Sequence, residues 1–187
     1  VDTEVLMNLL SISIMHNVSR DETRQTPLKP DLFAVTRELM EKLDGAYNVV
    51  SLFGDGDLLV FRDPKGFHPL VWGENNHFYA IASESTALEK IKINKFRDVN
   101  PGEALIFNKE GLKRQQLTQT QKKSYCHFEW VYFSKGNSVN EGKSVNMVRK
   151  NLGIAPANHE PIREKLDSSY IVVPAPRTAI PAAQSYA

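Results

Sequence analysis

The side chains best suited to nucleophilic, acid–base or metal chemistry are few in this sequence, namely five histidines, at positions 16, 68, 77, 127 and 159, and the single Cys126. The histidines form no metal-ligand spacing, and no GxSxG, P-loop or paired-cysteine motif is present. Arg62 and Asp63 are adjacent and oppositely charged, but they head an Arg-Asp-Pro turn. Pro64 presets φ there, Asp63 can bond nearby backbone, and Gly66 supplies a permissive position, so the structural reading is preferred to a catalytic pair. Asp2 opens a helical pattern, where a carboxylate commonly serves as a cap. Cys126 sits in the apolar run CHFEWVYF, which reads as a buried strand or packed crossing segment. A lone thiol in such a run is expected to be buried and inert, and Phe128, Trp130, Tyr132 and Phe133 to be core.

The elements that must position these groups follow from periodicity. Leu6, Leu9, Leu10 and Ile14 recur at helical spacing behind Asp2 and Thr3 and predict a core helix. After a polar, Pro-containing stretch from Asn17 to Pro30, Asp31 caps a second helix whose face carries Leu32, Val35, Leu39, Met40 and Leu43, ending at Gly45. The period then falls to two. AYNVVSLF, a GDGD turn and LLVFRD predict a β-hairpin, because Asp-Gly pairs accept the positive φ of a tight turn. HPLVWG, HFYAIA, a short helix SESTALEKI, KFRDV, EALIFN and LKRQQL continue the sequence as a meander over the two early helices, an α+β class. SKGNSVNEGK reads as a linker and 143–154 as a helix. The β-branched run IVVPAP, 171–176, reads as the first strand of a parallel sheet.

Composition sets the outer bounds. With 187 residues and 41% hydrophobic residues, the chain has the length of one domain, or of one domain and part of another. A net charge of +1 provides no field for nucleic acid or an anionic membrane. The most apolar stretch, Val5 to Met15, is well short of the roughly 20 residues of a membrane helix. It lacks the basic leader and cleavage site of a signal peptide. One cysteine cannot make an internal disulfide, which favours the cytoplasm. The opening on Val1 inside a helical pattern and the close at Ala187 suggest a fragment.

Six blocks stand in a fixed order: Asp2-Thr3-Glu4-Val5-Leu6; Gly45-Ala46-Tyr47; Phe61-Arg62-Asp63-Pro64 with Gly66 and Pro69-Leu70; Ala82-Ser83-Glu84-Ser85; Arg97-Asp98-Val99 with Pro101-Gly102-Glu103; and Phe128-Glu129-Trp130-Val131-Tyr132-Phe133. In order and spacing they resemble the amidophosphoribosyltransferases, over nearly the whole chain. The resemblance implies a partial N-terminal-nucleophile sandwich of antiparallel sheets and helices, the class II glutamine amidotransferase domain, over 1–125. A crossing strand and linker over 126–142 follow, and the start of an α/β phosphoribosyltransferase domain over 143–187.

The activity implied is transfer of ammonia from glutamine to phosphoribosyl pyrophosphate, giving phosphoribosylamine, the first step of purine synthesis. Magnesium is implied for the phosphoribosyltransferase half, and a homo-oligomer for the assembly. Asp2 matches the family's Asp in its Ser-Asp-Thr-Glu block, whose carboxylate holds the α-amino group of glutamine, and this substrate role is preferred to the cap alone. The family's nucleophile is an N-terminal cysteine whose own amine acts as base. Val1 has no thiol and Cys126 no neighbouring amine, so no catalytic residue is expected in this chain, and the chain alone is expected to be inactive. Some family members ligate an iron–sulfur cluster through a cysteine at the position of Cys126, but a cluster takes four thiolates. His68 stands where the family usually has Arg, and no catalytic role is assigned to it. Arg177-Thr178 stands where the family has an acidic residue and Ser, and Arg177 reads as a solvated loop residue in preference to a phosphate contact.

Two other readings compete. An asparagine synthetase-type amidotransferase shares the Arg-Asp-Pro turn and an Ala-Ser-Glu segment, but FEWVYFSK and VVPAP favour the phosphoribosyltransferase. A non-catalytic interaction or regulatory derivative of the glutaminase scaffold would account for the absent nucleophile and for Arg177-Thr178.

Overall fold

The computed structural model describes residues 2–18, 29–119 and 122–187, which fall into two compact units, 1–68 with 99–125 and 69–98 with 126–187. Val1 and most of the polar stretch after the first helix lie outside the described residues.

The first unit sets two helices on a four-stranded antiparallel sheet. Helix α1 is Asp2–His16 and helix α2 is Leu32–Lys42. The strands are β1, Asn48–Leu52, β2, Leu58–Arg62, β6, Glu103–Asn108, and β7, Gly111–Gln116, in the order β1-β2-β6-β7. Asp31 begins α2 by accepting hydrogen bonds from the amides of Phe33 at 3.0 Å and Ala34 at 3.2 Å, two donors that a helix start leaves unpaired. The expected apolar face of α2 is buried: Leu32, Val35, Leu39 and Met40 pack with Leu10 of α1 against Val49, Leu59, Phe61, Ala104 and Ile106. α1 is a one-sided helix and not the core helix its composition suggested. Leu10 is buried and Leu6, Leu9 and Ile14 pack beside it, while Val5, Met7, Ile12 and Met15 are exposed.

The second unit contains a three-stranded antiparallel sheet, β3, Val71–Glu74, β4, Tyr79–Ala82, and β5, Phe96–Asp98, in the order β4-β3-β5, with helix α3, Ser85–Lys90. The meander read from the sequence is thus two sheets. β2 takes β6 as its neighbour, with Val60 opposite Leu105, and the intervening strands close a small core of their own around Val71, Leu88 and Ile93. A short ladder, β8, Val139–Asn140, with β9, Lys143–Ser144, leads into helix α4, Val145–Asn158, which packs on helix α5, Ile180–Tyr186. A Cβ on Gly153 would lie 1.9 Å from the carbonyl oxygen of Ala182, so the two helices approach at a separation only glycine permits.

Two expected strands are absent. The 126–133 run contains a single π-helical turn, Glu129–Phe133, with Phe128, Tyr132 and Phe133 exposed and not core. Its apolar composition misled because the Ser134 amide bonds within the turn, to the Glu129 carbonyl at 3.0 Å, and not across a ladder. Residues 171–176 form no strand, and Ile171 and Val173 are exposed. A strand needs a neighbour to take its amides and carbonyls, and none of the described strands pairs with this segment.

Candidate functional site

Within the first unit, Asp2 and Glu4 occupy the first turn of α1, where carboxylates face the positive end of the helix dipole. Asp2 is exposed, and with Thr3, Leu6 and Met7 it lines a cavity of about 430 Å³ whose opposite wall is the 46–51 segment at the start of β1. A carboxylate lining a cavity of mixed polar and apolar walls suits a ligand bearing an ammonium group.

Tyr47 lines the same cavity, and sequence reasoning placed it in a matching block without a role. Its ring meets Phe61 edge-on at 6.0 Å, and its hydroxyl is buried without a hydrogen-bond partner among the described residues. Burial, and then the carboxylates of Asp63 and Asp44, hold its phenol well above the usual range, so it is a neutral donor at any ordinary pH.

The Arg62–Asp63 pair is scaffold, as its turn chemistry implied. Arg62 is buried and donates to the carbonyls of Val99 at 2.8 Å and Gly66 at 2.9 Å. Asp63 accepts from the amides of Lys65 at 2.9 Å, Gly66 at 2.7 Å and Phe67 at 3.1 Å. Both side chains thus hold backbone.

Within the second unit, Tyr132, Phe133, Lys135, Arg149 and Arg177 line a cavity of about 520 Å³, and no carboxylate among the described residues lines it. The structure therefore brings Arg177 together with two other cations, Lys135 and Arg149, which the sequence presented only as isolated charges. Such a lining favours an anionic ligand. Cys126 is partly buried and precedes the π-turn, and it is not in a strand. Among the described residues no group of three His, Cys, Asp or Glu side chains is placed to hold a metal ion. No described helix is long and apolar enough to cross a membrane.

No family model matches the chain. The amidophosphoribosyltransferase of Methanothermobacter thermautotrophicus is 34% identical over 185 residues, covering 99% of this chain and 35% of that protein. The Escherichia coli amidophosphoribosyltransferase is 34% identical over 186 residues, covering 95% and 35%. Among solved structures, glutamine phosphoribosylpyrophosphate amidotransferase from B. subtilis, complexed with ADP and GMP, superposes with a TM-score of 0.76 at 30% identity, covering 100% of this chain and 36% of that one. A structure described as the allosteric regulatory enzyme of purine biosynthesis superposes at 0.79, again at 30% identity, covering 99% and 36%. The chain spans about one third of the length of these relatives. In sequence and in fold, then, the chain is similar to the amidophosphoribosyltransferases along essentially its whole length.

Proposed function

We propose that this chain is part of a protein that takes ammonia from glutamine and uses it to displace pyrophosphate from phosphoribosyl pyrophosphate, giving phosphoribosylamine at the head of purine synthesis. The observation that carries this reading is the match in sequence and fold along essentially the whole chain, with Asp2 standing on the rim of a cavity in the first unit. In this reading 1–125 is the partial glutaminase domain, with its N-terminal-nucleophile architecture, and 126–142 is a linker. Residues 143–187 begin the phosphoribosyltransferase domain, whose phosphate-bearing substrate suits the cavity lined by Arg177 and, from the linker, Lys135.

Asp2 holds the α-amino group of glutamine, and its carboxylate fixes which way the amide points. Magnesium accompanies the pyrophosphate, and the protein works in the cytoplasm as a homo-oligomer.

The test is pyrophosphate release from phosphoribosyl pyrophosphate by the product of the whole gene. Release that depends on glutamine or ammonia is expected, and no release with either would refute the reading. The 187-residue chain alone is expected to show no glutaminase turnover, since its one thiol, Cys126, is internal. A non-catalytic derivative is favoured by one observation, the Arg177-Thr178 pair in place of an acidic residue and Ser. The same assay separates the two readings.

A further inference from the structure

In the second unit, the single π-turn Glu129–Phe133 leaves a backbone group without its usual partner. In a regular helix the carbonyl of Trp130 would accept from the amide of Ser134, and in a continued π-helix from that of Lys135. Both donors are engaged elsewhere. The Ser134 amide goes to the Glu129 carbonyl at 3.0 Å, and the Lys135 amide to Glu84 Oε2 at 2.8 Å. Arg149, reaching over from α4, fills the gap. Its Nε donates to the Trp130 carbonyl at 2.8 Å and its Nη2 to the Ser134 carbonyl at 2.7 Å.

Arg149 is only 5% exposed and Glu84 also accepts from Ser138 Oγ at 2.7 Å, so neither side chain is a loosely placed surface charge. Burial works against the Arg149 charge, and the Glu84 carboxylate works for it. A buried guanidinium whose bonds all go to carbonyls is stable only if those carbonyls need donors, which is the condition this turn creates.

We propose that Glu84 and Arg149 are a matched pair of positioning residues. The carboxylate takes the amide, and the guanidinium supplies the carbonyls, that the π-turn leaves over. Together they hold the turn in its π register and so set where Tyr132 and Phe133 stand on the wall of the cavity that they share with Arg149. The proposal rests on backbone hydrogen bonding alone and is independent of the amidotransfer reading.

Amide hydrogen exchange on the full chain tests it. In Glu84→Ala and in Arg149→Met, exchange at Ser134 and Lys135 is expected to rise at least about tenfold, the loss of one charge-assisted bond, with the β3–β4 ladder unchanged. The double variant is expected to show no more than the larger single effect, because the two residues act as one unit. Glu84→Gln keeps an acceptor and is expected to restore most of the Lys135 protection. Unchanged protection at both amides in either single variant, a rise of the same factor in the β3–β4 ladder, or effects that multiply in the double variant would each overturn the proposal. Should the truncations not fold, Arg149→Lys is read in the same way. A smaller rise confined to Ser134 and Lys135 supports the pair, and its absence contradicts it.

Discussion

At the scale of single residues, the Arg-Asp-Pro turn shows how much a short run can specify. Asp63 collects three amides because the backbone of 65–67 curls around its carboxylate, and the curl needs Gly66 at a φ of +69°. A Cβ there would meet Pro101 Cγ at 2.5 Å, and Arg62 donates to the Gly66 carbonyl from the same side. Gly66→Ala is therefore expected to destabilise the chain by about 2 kcal/mol or more, combining left-handed strain with overpacking. Chemical denaturation of the two proteins measures it, and a change below about 0.5 kcal/mol would contradict this picture of the turn. The turn chemistry was legible because Pro, Asp and Gly each impose a local conformation. The cavity lining was not. Tyr47, Lys135 and Arg149 become neighbours of a site only through pairings distant in sequence, and no local pattern marks them.

At the scale of elements, periodicity located α2 and its buried face, because a stripe at helical spacing has one place to go. It also located the strands of both sheets, but not their order, since alternation records which face of a strand is buried and not which neighbour it has. The two misread segments, 126–133 and 171–176, share a cause: an apolar, β-branched or aromatic run states a preference for burial, while a strand also needs a partner for its backbone.

The tie between the ends of α1 and α2 carries a pH signature. Glu38 accepts from Lys42 Nζ at 2.6 Å and from Asn17 Nδ2 at 2.9 Å, and it faces His16 Nδ1 at 3.0 Å. These contacts, Lys42 first and then His16, lower its pKa from 4.5 to about 2. A depressed carboxylate pKa stabilises the fold above the unfolded value and loses that contribution as pH falls, here between 4.5 and about 2. The pair is open to solvent, so the effect is expected to be small and to weaken with salt. Comparing melting temperatures of the parent and Glu38→Gln across that window checks it. The difference is expected to shrink toward zero at the acid end, and a difference that grows there would contradict the assignment.

At the scale of the whole molecule, two units each carry a cavity of distinct character, one rimmed by a carboxylate and one lined by cations. That division of charge supports the proposed reading, in which one site takes an amino acid and the other a phosphorylated sugar. The relatives matched along this chain are about three times its length, so the proposed reaction is to be measured on the product of the whole gene. In the proposed reading the two nitrogen donors can be assayed separately, because ammonia supplied in solution bypasses the proposed glutamine site. The account rests on Asp2 as the group that holds the glutamine amine, and the direct test is kcat/KM of full-length Asp2→Asn with each nitrogen donor. With glutamine, a fall of about 10- to 100-fold is expected, the worth of one charge-assisted bond to a bound ammonium, while the rate with ammonia stays unchanged. An unchanged kcat/KM for glutamine, or an equal loss with both donors, would contradict it.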